Sequence, residues 1–341
     1  MKRNLLFILF ALTSLAAAAQ NEKTFRLDLE TRIDYTQEYI SSTKINDNSG
    51  FKGKYLNIRI DGQIAEGFTY SYRQRLNKIN SIYSFFEATD WITLNYRTGN
   101  WDFSTGKQVV AIGGYEYNAA PIDLYFCSEF WQHIACYQFG VSAAYNTKDR
   151  KDNIMFQICE SPFKTGQLNI EKKEMFAYNL MWTGTHGFFN SLYSVNMMEY
   201  MPGRFINYIA LGNEFRFGNV RIELDLMNKA SSMKDLIGKN MSVMSAINWQ
   251  PVEWVNMFAR MSYDVNRTEE LTDLCVLPGT EITRVGGGFE FFPIKNSRNL
   301  RLHINGCYTF GKATVGNVLN PNQTIVDCGI TWKMNLLTTK R

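Results

Sequence analysis

The chain has 341 residues, with 36 Lys and Arg against 32 Asp and Glu, for a formal net charge of +4. That near-balance leaves no basic footprint for nucleic acid, and the isolated His133, His186 and His303, with no Cys-x-x-Cys pair, offer no metal-ligand spacing. No later stretch is apolar for the ~18 residues of a spanning helix, which excludes a helical membrane protein but not a barrel, whose strands need only about 10 alternating residues.

The N-terminus is the first predicted element. Lys2 and Arg3 precede an apolar run over residues 5–15, and Ala16 to Ala19 form a small-residue exit, the parts of a cleaved secretory signal. No cysteine follows Ala19 directly, so a lipidated N-terminus is not expected. Removing residues 1–19 leaves 322 residues (341 − 19), and losing Lys2 and Arg3 lowers the formal charge from +4 to +2. Residues 20–341 then read as one domain.

From Phe25 onward apolar and polar side chains alternate with a period of two, the signature of strands with one apolar face. Phe25, Leu27, Leu29, Ile33 and Tyr35 share one face of the first strand, with Arg26, Asp28, Glu30, Arg32 and Asp34 on the other. The pattern recurs through residues 54–63, 68–76, 91–97, 135–146, 154–159, 176–183 and 191–198. It continues at 207–217, 220–227, 241–250, 255–264, 282–291, 300–310 and 326–336, with 101–109 the weakest case. The total is about sixteen strands, an even number.

The connections alternate between short turns, such as Glu66-Gly67 and Gly218-Asn219, and longer loops such as 36–53, 110–134 and 265–281. A transmembrane antiparallel barrel with short turns at one end and long loops at the other predicts this rhythm. The loop at 110–134 holds no Lys or Arg and is rich in Gly and aromatic residues. Rather than capping the rim, it is expected to fold into the lumen and narrow it with Glu116, Asp123 and Glu129. The six cysteines share no spacing and read mostly as unpaired, and nothing indicates a cofactor.

Two resemblances add to this reading. Asp327, Gly329, Trp332 and Met334 on the last strand resemble the recognition signal of outer-membrane barrels. The run Gly106-Lys107-Gln108-Val109-Val110, the Gly-rich loop after it, the strand count and the loop order resemble the phosphate-selective porin O and P family. Membership implies a sixteen-stranded outer-membrane porin, a homotrimer surrounded by outer-membrane lipid, with the third long loop as its constriction. It also implies a ladder of inward cations that favours anions, phosphate above all. Strand parity sends Arg59, Arg73, Arg75, Arg97, Arg221, Arg260, Arg284 and Arg301 inward, but also Asp61, Glu223, Asp225, Asp264 and Glu290. The Arg73/Arg75 pair beside Arg59 is the best anion step, weighed against a wall whose charges balance one another.

The expected function is a passive channel for small hydrophilic solutes or anions. One alternative is a lipase-like barrel enzyme, for which His186 and Ser191 are the nearest base and nucleophile, although no G-x-S-x-G run exists. Another is a non-conducting adhesin or scaffold barrel.

Overall fold

A computed structural model describes residues 24–79, 85–312 and 322–339; the expected leader at 1–19 lies outside them, as do residues 313–321 and the last two residues. Among the described residues sixteen long strands form one antiparallel sheet. They are β1 (Phe25–Ile40), β2 (Gly50–Ala65), β3 (Phe68–Arg75), β4 (Thr89–Thr98), β5 (Trp101–Val109), β6 (Tyr137–Asn146), β7 (Asp152–Glu160) and β8 (Phe176–His186). The second half holds β9 (Phe189–Met201), β10 (Arg204–Phe217), β11 (Val220–Ala230) and β12 (Asn240–Val252). It ends with β13 (Val255–Asn266), β14 (Glu281–Phe291), β15 (Leu300–Lys312) and β16 (Gln323–Thr339). Each strand pairs with its successor, and β16 pairs back onto β1, so the sheet closes into a barrel.

Several strands outrun the expected bounds. β1 continues to Ile40 and β2 starts at Gly50, so the expected 36–53 loop shrinks to residues 41–49, which carry a two-residue bridge, Thr43–Lys44, and a helical turn at Asn46–Asn48. Backbone pairing does not stop where the apolar pattern stops, because polar strand ends beyond the lipid can ladder equally well. For the same reason β4 begins at Thr89 and β11 runs to Ala230.

The barrel is inside out relative to a water-soluble fold. Val141 and Val195 are 54% and 51% exposed on the outer face, whereas Asn179 and Asn196 on the inner face are fully buried. A continuous apolar exterior of this kind would be an aggregation hazard in water and is what a lipid-facing wall requires. Aromatic pairs belt the short-turn end: Phe68 on Tyr96, Trp101 on Tyr145, Trp182 on Tyr193 and Trp254 on Phe291, with ring centres 4.3 to 5.5 Å apart. Rings with one polar edge suit the boundary between hydrocarbon and water. All six cysteines are unpaired.

Candidate functional site

All eight arginines that parity sends inward meet a carboxylate. Arg59 bonds Asp61 at 2.6 Å on its own strand, and Arg97 bonds Asp102 at 2.5 Å across the β4–β5 turn. Arg221 lies 3.2 Å from Glu223. Arg73 and Arg75 share Asp90, at 2.8 and 3.1 Å, and Arg73 also donates to Tyr137 Oη at 2.7 Å and covers the Trp91 ring at 3.9 Å. Burial explains the pairing: a guanidinium withdrawn from water needs a counter-charge and bonds for its remaining protons. Arg73 is 4% exposed and Arg75 9%.

The remaining three arginines receive the acids of the connection between β5 and β6. Glu116 lies 3.3 Å from Arg260 on β13, Glu129 2.5 Å from Arg284 on β14, and Asp123 2.9 Å from Arg301 on β15. Three acids expected in one loop thus meet three expected arginines on consecutive strands. Glu116 and Glu129 are buried, so they anchor the connection rather than face a water path. Burial pushes the Glu116 carboxyl up, with Arg260 and the Ser128 hydroxyl pulling it back. Two residues that the sequence reading left aside complete this side. Arg32 donates to the Leu124 carbonyl at 2.7 Å, and Tyr125 donates to Glu290 at 2.7 Å.

The backbone of the connection is fixed as firmly. Gly113 N donates to Ser194 Oγ at 2.8 Å, Gly114 N to the Leu192 carbonyl at 3.1 Å, and Asn196 Nδ2 donates to the Ala111 carbonyl at 2.7 Å. A Cβ at Gly113 would come within 2.6 Å of the Leu192 carbonyl oxygen, and Gly114 takes a φ of 104°. Only glycine permits that approach and that backbone. The connection's two short helices, α1 (Tyr115–Asn118) and α2 (Glu129–His133), are held by side chains at their starts: Asp225 accepts from Tyr115 N and Glu116 N, and Asp264 from Glu129 N.

Beneath these bonds lies an apolar core that alternation did not reveal. Ile112, Tyr117 and Phe130 from the connection pack with Met198, Ile206, Tyr208 and Met227 from the inner faces of β9, β10 and β11. Phe163 and Met175 from the 161–175 connection join them, as do Cys275 and Val276 from 267–280. One buried ion pair ties this assembly down: Lys229 Nζ lies 3.1 Å from Asp273, both fully buried, and Asp273 also accepts from Tyr208 Oη at 3.0 Å and Asn240 Nδ2 at 3.0 Å.

On the other side of the barrel a cavity of about 770 Å³ is bounded by β2 to β8 and by the first residues of the connection. Its wall carries amides and hydroxyls, with the paired Arg97 and Asp102 as its charges. The hydrolase arrangement does not assemble: His186 Nε2 contacts Asp152 at 3.0 Å, while Ser191 Oγ has no hydrogen-bond partner. His303 lies 3.1 Å from Asp34 on the inner face.

The sequence profile of the phosphate-selective porin O and P family matches residues 25–190. No curated protein gives a significant sequence match. Among solved structures, the anion-selective porin from Comamonas acidovorans superposes with a TM-score of 0.64 at 10% identity, covering 92% of this chain and 100% of that one. The outer membrane channel DcaP of Acinetobacter baumannii gives 0.63 at 10% identity, covering 92% and 99%. The trimer form of OmpT from Vibrio cholerae gives 0.57 at 11% identity, covering 92% and 100%. At such identities these likenesses concern the fold, and they agree with the closed barrel of sixteen strands. Over residues 25–190, just under half of its length, the chain is similar to the phosphate-selective porin O and P family.

Proposed function

We propose that the protein is an outer-membrane porin, a passive water-filled channel for small hydrophilic solutes. The observation that carries this is the inverted barrel, apolar outside, whose polar interior keeps a cavity of about 770 Å³. A barrel filled by its own side chains needs only about eight strands, and sixteen leave an aqueous path. In this reading residues 1–19 are a cleaved export signal, residues 20–341 form one barrel domain, and three copies assemble in the membrane. The trimer is supported by one similar fold described as a trimer form.

The connection between β5 and β6 is the proposed constriction. Its three acids meet arginines on the inner faces of three strands, which supports a path across the lumen rather than along the rim. The family's name points to phosphate, and rings of inward cations favour anions. Here each of the eight arginines is compensated by an acid of the wall or of the connection, so the expected preference for anions is weak.

Single-channel recording of the refolded protein in a KCl gradient tests both statements. A steady conductance with a reversal potential near zero is expected. Insertion without conductance would sink the channel reading; a strongly anion-selective reversal potential blocked by phosphate would sink the compensated wall. Replacing Arg73 and Arg75 together with Ala leaves Asp90 unpaired, so that variant should turn toward cations rather than merely lose anion preference.

A further inference from the structure

From the wall of the cavity between β2 and β8 we infer that the solute this channel favours is an uncharged polyol of sugar size, recognised through hydroxyl groups rather than through charge. The inference rests on the channel reading and specifies its cargo. Gln63, Thr69, Asn95, Ser104, Gln108 and Ser142 are among the polar residues of this cavity's wall. All six are neutral, and each has a donor, an acceptor or both. The two charged residues at its edge cancel: Arg97 bonds Asp102 through two nitrogens at 2.5 and 3.3 Å, and Asn146 caps the same carboxylate at 2.8 Å. A phosphate entering here would leave its hydration shell and find no free counter-charge, which costs several kcal/mol. A polyol exchanges hydroxyl-to-water bonds for hydroxyl-to-amide bonds of similar strength.

The second observation is an unspent donor. Gln108 is 8% exposed, its Oε1 accepts from Ser142 Oγ at 3.1 Å, and its Nε2 is buried with no hydrogen-bond partner. A buried amide N–H without an acceptor is costly and uncommon. Gln108 belongs to the cavity wall and sits one residue before the connection begins to leave the strand. An acceptor oxygen arriving from the cavity would satisfy it, while Ser142 Oγ, already donating, stays free to accept. Gln157, next along the wall, offers nothing further: it accepts from Ala111 N at 2.7 Å and donates to the Val109 carbonyl at 2.9 Å. Unspent bonding capacity therefore remains at Gln108 and Ser142, where the strand wall meets the proposed constriction.

The test is a titration of single-channel KCl current with D-glucose and, separately, with inorganic phosphate at equal concentration, corrected for viscosity. Glucose should reduce the current saturably and phosphate should not. In Gln108→Leu the half-blocking glucose concentration should rise roughly three- to tenfold, as for the loss of one neutral hydrogen bond, with KCl conductance retained. Ser104→Ala, at a half-buried position, should give a smaller shift of the same sign and serves if Gln108→Leu fails to assemble. Phosphate blocking more strongly than glucose, or variants that titrate like the unmodified protein, would overturn the inference while leaving the channel reading intact. A barrel that inserts and carries no KCl current would overturn both.

Discussion

The two sides of the barrel interior solve the same problem in opposite ways. The inner faces of β9, β10 and β11 carry Met198, Ile206, Tyr208 and Met227, and three long connections cover them with a packed apolar core. The inner faces of β2 to β6 carry amides, hydroxyls and compensated arginines, and leave open space. An inward-facing side chain in a wide barrel therefore meets either water or another part of the chain. What it meets is decided by the loops rather than by the strand it stands on.

This contrast can be broken most forcefully at its buried ion pair. Asp273→Ala leaves Lys229 charged and unpaired in the core, a loss of about 3–5 kcal/mol. Hydrogen exchange should then report opening of residues 267–280 while the sixteen strands stay protected. Gly113→Val comes next: its side chain would collide with the backbone of β9, with overpacking of about 1–3 kcal/mol. The connection should be displaced, and the single-channel conductance should rise. An unchanged conductance would mean that the connection does not set the width of the path. Arg284→Gln removes one of the three anchors of the connection. The two others hold, so it should raise current noise more than mean conductance. Asp90→Asn removes the counter-charge shared by the buried Arg73 and Arg75 while keeping one amide oxygen to accept from them. The reversal potential should move toward anions, opposite in sign to the double alanine variant.

Much of this was legible from alternation. The period of two gave the strand count, the polarity of each face and the inward direction of all eight arginines, because lipid outside and water inside impose opposite demands on successive residues. The aromatic, cation-free composition of the 110–134 loop marked it as unlike a solvated loop, and the packing of its Phe130 against Tyr208 gives the reason. What alternation does not show lies at the strand ends. Asp90 lies just before Trp91, where the alternating segment begins, so the acid that pairs Arg73 and Arg75 went unread. Lys229 lies just beyond Met227 and was lost in the same way. The apolar core escaped for a different reason: Ile206, Tyr208 and Met227 satisfy a period of two whichever face they occupy. Gln108 entered only as part of a family run, because nothing local to it tells that its amide nitrogen is buried at the cavity wall without a partner.

The seam between the first and last strands carries a further consequence. Every long ladder except this one joins neighbours along the chain, while β1 and β16 pair over sixteen residues, from Phe25 opposite Thr339 to Ile40 opposite Gln323. Until β16 is made, two edges stand open, and in hydrocarbon their amides have nothing to bond. Closure thus rests on the one ladder that joins the two strands farthest apart in sequence. Because Phe25 and Thr339 end side by side, a short linker across them with new ends opened in an exposed turn, such as that at Asn219, should yield a circularly permuted barrel. The same fold would then have its vulnerable seam elsewhere.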